Sequence, residues 1–338
     1  MLITELQAAP GFERVLRAEE PAAGYRAIVA IHNSRLGPAV GGTRRWRYAT
    51  DDAALADALR LARGMSYKNA MAGLPMGGGK SVILVDGEPA SRAAVFEAHG
   101  RFVESLGGRY ITAEDVGTSH EDMAIVRRET RWVAGLTDPS PVTARGVVRA
   151  MTAAARHRWG SDDLSGRTVA LQGCGNVGKS LAAQLAQAGA RLLVCDVDPA
   201  RAERCAAQCG ANVVSADTIF DQPADIYAPC ALGGTLNADT IPRLRVSIVA
   251  GAANNQLALS ADAGRLLSRG IVYVPDYVAN AGGVIDGARD ICGWSDERSR
   301  AAVEALYDTT LDLLRSADDA GETPAAAADR IAEARLAA

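Results

Sequence analysis

The spacing of apolar residues changes along the chain and separates strands from helices. Tyr25-Arg26-Ala27-Ile28-Val29-Ala30-Ile31-His32 alternates in part, which predicts a strand. Further on the period lengthens, with Leu55, Leu59, Ala62 and Met65 at helical spacing. Thr50 is placed as the N-cap of that helix, and Asp51 and Asp52 complement the dipole of its first turn. The helix is expected to reach about residue 70, followed by a glycine-rich turn, a strand over 81–85, a helix over 90–106 and a strand over 109–113. Residues 136–142 read Leu-Thr-Asp-Pro-Ser-Pro-Val, and the paired prolines predict a boundary. A helix over 143–159 then opens a series in which strands over 169–172, 191–195, 226–228, 246–250 and 271–274 alternate with helical stretches, the pattern of a parallel α/β sheet. From Glu297 the chain is alanine-rich and helical.

Composition narrows the class. A chain of 338 residues fits two domains on a prior of about 150 residues each. With 36 Lys and Arg against 40 Asp and Glu the net charge is −4, which argues against a non-specific nucleic-acid binder. The densest basic cluster, Arg44, Arg45 and Arg47, is too short to make such a surface. Of the six cysteines only Cys205 and Cys209 lie close together, and no second pair completes a zinc site, so reduced thiols and no metal are expected. The first residues lack a basic and apolar leader pattern, and no apolar stretch approaches ~18 residues, so a cytoplasmic protein without a membrane partner is expected. The 34 glycines cluster at 77–79, 173–178, 233–234 and 282–283, which suggests backbone brought close to a ligand.

The strongest local motif is Gly173-Cys174-Gly175-Asn176-Val177-Gly178. It follows an apolar strand and opens a helix that Gly189 ends. A second strand closes at Asp196, near the ~20-residue spacing of a dinucleotide fingerprint. Gly173 permits the tight turn, Gly175 lets backbone approach a pyrophosphate, and Gly178 lets the helix pack on the strand. Asp196 would accept from the ribose hydroxyls, and its charge favours NAD over NADP, although Arg201 lies near.

A second loop, Gly73-Leu74-Pro75-Met76-Gly77-Gly78-Gly79-Lys80-Ser81, fails as a nucleotide-binding P-loop. Its register puts leucine where a glycine is needed, and a strand, not a helix, follows the lysine. A lysine beside glycines suits another use, in which a substrate lies against the backbone next to the amine. Lys68 stands at the end of the preceding helix; were it to share a site with Lys80, each would lower the other's pKa and poise a general base. Asp115, in Ile111-Thr112-Ala113-Glu114-Asp115-Val116-Gly117-Thr118, lies just past a strand end, where α/β proteins place functional groups; capping the following helix is its competing role.

Together these motifs resemble the glutamate/leucine/phenylalanine/valine dehydrogenase family. Gly37-Pro38-Ala39-Val40-Gly41-Gly42-Thr43-Arg44, Pro139-Ser140-Pro141-Val142-Thr143, Pro229-Cys230-Ala231-Leu232-Gly233-Gly234, Ala250-Gly251-Ala252-Ala253-Asn254-Asn255-Gln256 and the stretch from Pro275 to Val284 share in it. The resemblance is nearest to the short leucine, phenylalanine, valine and tryptophan enzymes. It implies an α/β fold with a Rossmann-type doubly wound parallel sheet over 135–304 and an α/β substrate domain over 1–134 completed by a helix over 305–338, with the cleft between them. It implies an NAD-dependent enzyme that converts an apolar L-amino acid to its 2-oxo acid and ammonia, and a homo-oligomer, dimer or octamer. By the same resemblance Lys80 activates water as general base and Asp115 shuttles protons at the amine. Lys68 binds the substrate carboxylate, and Gly41, Gly42, Met65 and Asn255 also contact substrate. Val40, Ala113, Val284 and Gly287 line the side-chain pocket. The cofactor would meet Thr143, Gly173, Cys174, Gly175, Asn176, Val177, Gly178, Asp196, Val197, Cys230, Ala231, Ala253 and Asn254. Gly287 stands where leucine-type enzymes carry valine, so an enlarged pocket and aromatic substrates are expected. The stretch at 135–140 is shorter than the family's. Two other readings stay open: a non-catalytic NAD-binding regulatory paralogue, and a 2-hydroxy-acid dehydrogenase, which would need a histidine base that none of the glycine-rich motifs contains.

Overall fold

A computed structural model describes residues 1–7, 9–87, 91–135 and 138–338. Ala90, the expected start of a helix, and Leu136 and Thr137 of the shortened stretch lie outside the described residues. The chain divides into two compact units. The first comprises Met1–Asp138, Asp290–Gly293 and Ala332–Ala338; the second comprises Pro139–Arg289 and Trp294–Ile331.

In the first unit one sheet holds β1 (Leu2–Leu6), β2 (Arg14–Glu20), β3 (Tyr25–Asn33), β4 (Ala39–Trp46), β5 (Gly77–Leu84) and β6 (Tyr110–Glu114) in the order β1-β2-β3-β5-β4-β6. The first three strands and the β3–β5 pair are antiparallel, whereas β4 runs parallel to both β5 and β6. The alternation in β3 sorts its side chains onto the two faces. Ala27, Val29 and Ile31 join Phe96, Phe102 and Tyr110 in one core, and Ile28 and Ala30 join Val82, Ala54, Ala58 and Ala62 in the other. Helix α1 (Asp51–Met71) covers the second face. Its Ala54, Ala58 and Ala62 recur every four residues with no exposure, so its axis can lie close to the sheet. Thr50 caps it as expected, accepting from the Ala53 N–H at 3.1 Å. Helices α2 (Arg92–Ser105) and α3 (His120–Glu129) supply buried residues to the other core.

One expectation needs correction here. Gly77–Gly79 are not a turn before a strand but the first residues of β5. Glycine is a poor strand former because it offers no side chain to pack. Here there is no room for one. A Cβ on Gly77 would stand 2.0 Å from the Asn33 carbonyl oxygen, and one on Gly78 would stand 2.0 Å from the Ser66 nitrogen of α1.

The second unit holds six parallel strands: β7 (Thr168–Gln172), β8 (Arg191–Cys195), β9 (Asn212–Val213), β10 (Ile226–Pro229), β11 (Ile248–Val249) and β12 (Val272–Tyr273). Their order is β12-β11-β10-β7-β8-β9, so the winding reverses between β7 and β10. Open α/β sheets bind ligands outside the carboxyl ends of the strands at such a switch point. Val169 and Leu171 face a core shared with α4 (Ser140–Trp159) and α5 (Asn176–Gln187), and Ala170 faces the opposite core with Tyr227 and Val249. Helix α4 starts three residues before the expected point. Its prolines sit at its first turn, where the missing N–H has no intrahelical partner and the fixed φ suits a helix. The helix Leu306–Ala320 belongs to this unit, and only the last turns of Pro324–Ala337 count with the first. Among the described residues no helix is long and apolar enough to cross a membrane. The two-domain α/β fold expected from the sequence is the one observed.

Candidate active site

In the first unit Lys80 sits in β5 and is 5 % exposed. Its Nζ donates to Asp115 Oδ2 at 2.5 Å. Asp115 follows the end of β6, held by a compact turn. Its N–H donates to Thr118 Oγ1 at 2.9 Å, and that hydroxyl donates in turn to the Asp115 and Thr43 carbonyls. Gly117 has φ +82° in the same turn and lies too near the Arg45 carbonyl for any side chain. Ser119, not Asp115, caps α3, with Asp122 closing a capping box, so the competing role for Asp115 falls away.

A third charge completes the cluster. Arg44 Nε donates to the same Asp115 oxygen at 3.3 Å, and Arg44 Nη1 donates to Asp57 Oδ2 at 3.0 Å. Asp57, on α1, also accepts from the Tyr48 hydroxyl at 2.6 Å and from Arg60 at 2.7 Å. Burial pushes the Asp115 carboxyl up, but the Lys80 ammonium and the Arg44 guanidinium outweigh it and hold the group at about 2. Burial lowers the Lys80 pKa, Asp115 opposes that, and Arg44 adds to the lowering. The sequence suggested Lys68 as a neighbouring cation, and the structure adds Arg44, which bonds Asp115 directly. From the sequence Arg44 is named only in the short basic cluster and at the end of the Gly37–Arg44 motif, with no role of its own. Only the pairing of β4 with β6, at Thr43↔Glu114, brings it to Asp115.

Gly41 and Gly42 lie in β4 opposite Thr112 and Ala113. A Cβ on Gly41 would stand 1.8 Å from the Gly79 carbonyl oxygen, and one on Gly42 would stand 2.8 Å from the Asp115 Cβ. Tyr110 fixes this backbone by donating to the Gly41 carbonyl at 2.6 Å, a contact with no warning in the sequence. Val40 is buried, Ala113 and Met65 are half-buried, and Lys68 lies in the last turn of α1, half-buried. On the buried side of β5, Ser81, Thr43 and Thr112 form a hydroxyl cluster with His99. Burial pushes His99 down to about 3, so it is neutral, bonded to Thr43 and to Tyr25 at 2.8 Å each. His32 bonds Ser66, while His120 pairs with Glu114 and His157 with Asp318.

The second unit carries the glycine loop at its switch point. Gly173 has φ +100°, and a Cβ there would meet the Cys230–Ala231 backbone after β10 at 2.8 Å. A Cβ on Gly178 would stand 1.9 Å from the Gly173 oxygen, so this glycine permits the tight helix entry. Gly175 is the N-cap of α5, makes no side-chain cap and has no atom within 4 Å of its Cβ position. Gly175 and Asn176 are exposed at this helix start, whose first N–H groups lack intrahelical partners, an arrangement that suits a pyrophosphate. Asp196, just past β8, has a second task. It accepts from the Cys174 N–H at 2.7 Å and from the Asp198 N–H at 2.9 Å, which ties the glycine loop to β8. Its neighbour Val197 is 93 % exposed. These features fit the adenosine half of NAD.

The remaining residues named from the sequence lie in the same unit. Thr143 is buried near the start of α4, and a Cβ on Gly283 would approach its Oγ1 to 2.8 Å. Ala253 donates its N–H to the Pro229 carbonyl at 2.9 Å, and Asn254 Oδ1 accepts from Asn280 at 2.8 Å. Asn255 has φ +53°, alone among the described non-glycine residues, a conformation asparagine tolerates best. Its carbonyl accepts from the Gly234 N–H at 2.8 Å. Val284 and Gly287 are half-buried. No disulfide joins cysteines among the described residues; burial pushes the Cys195 thiol up to about 11 and the Cys230 thiol up to about 12.

A dinucleotide unit joined to a unit with a buried Lys–Asp pair defines a nicotinamide-dependent dehydrogenase. Comparison with known proteins gives the particular kind. Residues 13–132 match the Glu/Leu/Phe/Val dehydrogenase dimerisation domain, and residues 135–200 and 197–320 match the glutamate/leucine/phenylalanine/valine dehydrogenase domain. Leucine dehydrogenase of Bacillus subtilis is 47 % identical over 96 % of this chain and 91 % of its own length. Valine dehydrogenase of Streptomyces coelicolor is 49 % identical over 97 % and 93 %. The crystal structure of L-tryptophan dehydrogenase from Nostoc punctiforme superposes with a TM-score of 0.86 at 45 % identity, covering 96 % of both chains. The chain belongs to the glutamate/leucine/phenylalanine/valine dehydrogenase family and is an NAD-dependent amino-acid dehydrogenase.

Proposed function

We propose that the enzyme oxidatively deaminates an L-amino acid with a branched aliphatic side chain, leucine or valine, to the 2-oxo acid and ammonia, and runs the reverse amination. The observation that carries the chemistry is the buried Lys80–Asp115 pair. Lys68 would hold the substrate carboxylate, with Met65, Asn255 and the Gly41–Gly42 backbone around the amino-acid core. NAD would lie on Gly173–Gly178 and Asp196, with Thr143, Val197, Cys230, Ala231, Ala253 and Asn254 completing its site, and it supplies the hydride acceptor. Lys80 in its neutral form takes the proton of the water that attacks the oxidised Cα. Asp115 passes protons to the leaving amine. The histidine base of a 2-hydroxy-acid enzyme has no counterpart beside Lys80: His99 is neutral and engaged on both nitrogens. The dimerisation label of the matched first domain supports a homo-oligomer.

The side-chain preference replaces the aromatic lean drawn from Gly287. Relatives at 46–49 % identity are leucine and valine enzymes. The tryptophan enzyme at 45 % identity favours an indole substrate as a second reading. Val40, Ala113, Val284 and Gly287 would make the choice. A panel of leucine, valine, phenylalanine and tryptophan, read as NADH formation, tests it. Leucine or valine should show the highest kcat/KM, and an aromatic winner would overturn the reading. No atom lies within 4 Å of a Cβ built on Gly287, so the backbone there has room for a side chain to start. Gly287→Val should therefore fold normally and lower kcat/KM for phenylalanine relative to valine by roughly 10–200-fold, the range of a methylene-scale change in an apolar pocket. An unchanged ratio would remove Gly287 from the pocket.

A further inference from the structure

We propose that Arg44, anchored by Asp57, is a positioning residue that aims the Asp115 carboxylate at Lys80 and balances the charge of that pair as Lys80 gains and loses its proton. This inference rests on the deamination reading, in which Lys80 must be neutral to act. The geometry is specific. One oxygen of Asp115 accepts from both Lys80 Nζ at 2.5 Å and Arg44 Nε at 3.3 Å. The other end of the guanidinium is fixed on Asp57, which Tyr48 and Arg60 hold in turn. The side chains of Arg44, Asp57 and Asp115 are 16–17 % exposed, and that of Lys80 is 6 % exposed.

A buried ion pair whose lysine loses its proton leaves a carboxylate without its counter-ion. Asp115 would then take up a proton itself, and the base would be lost. Arg44 cannot titrate in the working range, so it keeps a cation on Asp115 through the cycle. Its charge also disfavours the Lys80 ammonium and helps the neutral amine form. The fork shape of the guanidinium matters as well, because one side chain must reach two carboxylates at once. Other titratable or charged groups on the elements packed here include Arg45 on β4, Arg60, Arg63 and Lys68 on α1, His32 on β3, and Tyr110 and Glu114 on β6, with His120 paired to Glu114. Arg44 is the permanent cation that the observed hydrogen bonds and ion pairs place on Asp115.

The test is the acid limb of kcat/KM for deamination against pH, in the wild type, Arg44→Gln, Arg44→Lys and Asp57→Asn. Arg44→Gln should move the limb to higher pH by about one unit, the scale for a neighbouring charge, and lower kcat by more than the change in the amino-acid KM. Arg44→Lys should return the limb toward the wild-type position. Asp57→Asn, which removes a nearby anion, should move it to lower pH. The pH dependence of Lys80 acetylation by acetic anhydride, followed by peptide mass spectrometry, reads the same proton without turnover. Should the wild type form no NADH with any amino acid, the deamination reading fails, and the acetylation series still decides the part of Arg44. Coincident Lys80 profiles in the wild type and Arg44→Gln, or in the wild type and Asp57→Asn if Arg44→Gln does not fold, would overturn the proposal.

Discussion

Lys80→Ala should lower kcat for deamination by about 10²–10⁴-fold, the usual contribution of a positioned general base. The protein should still bind NADH, because the glycine loop lies in the other unit. The wild-type rate should rise with pH, since only the neutral amine can accept a proton. Burial places the Lys80 pKa below its usual value, so the rise should be centred below 10.5. In Lys80→Ala this limb should vanish from whatever activity remains. A variant that keeps the wild-type rate and limb would show that another group activates the water. Asp115 belongs to the same prediction with the opposite sign. Held at about 2, it is ionised throughout the assay range and contributes no limb of its own in the free enzyme.

The second large effect concerns stability. Gly78→Ala should lower the melting temperature by roughly 6–12 °C, on about 3 kcal/mol of overpacking and 2–4 °C per kcal/mol for a domain of this size. The added carbon would stand 2.0 Å from the Ser66 nitrogen and 2.4 Å from its Cα, so helix α1 itself must move. Lys68 rides on that helix, so activity should fall with stability. Gly64 supplies the contrast. It lies in the same helix with no atom within 4 Å of its Cβ position, and Gly64→Ala should raise stability by about 0.5–1 kcal/mol. Equal melting temperatures for the two variants would mean that β5 and α1 are not packed as described.

Much of this was legible in the sequence, for identifiable reasons. The nucleotide unit announces itself because its contacts are local: strand, glycine turn, helix and second strand fall within one short stretch. The Thr50 cap and the strand with Tyr25 are likewise decided by near neighbours. The first unit hides more. Its glycine run in β5 reads as a turn, because what forbids side chains there is the backbone of Asn33 and Ser66, brought in from other elements. Arg44 looks like one member of a short basic cluster until β4 is paired with β6. Tyr110 shows no sign of its hydrogen bond to Gly41, because any buried aromatic would satisfy the same apolar pattern. What escaped a linear reading is mostly long-range strand pairing, and that pairing builds the charge cluster.

The buried thiols have a practical consequence. With Cys195 held at about 11 and Cys230 at about 12, neither is a thiolate at neutral pH. A maleimide added to the native enzyme should therefore reach Cys195 only when the sheet around it opens. The rate of its alkylation becomes a clock for breathing of the nucleotide unit. Saturating NADH should slow that clock, since a ligand bound to the closed form makes opening rarer.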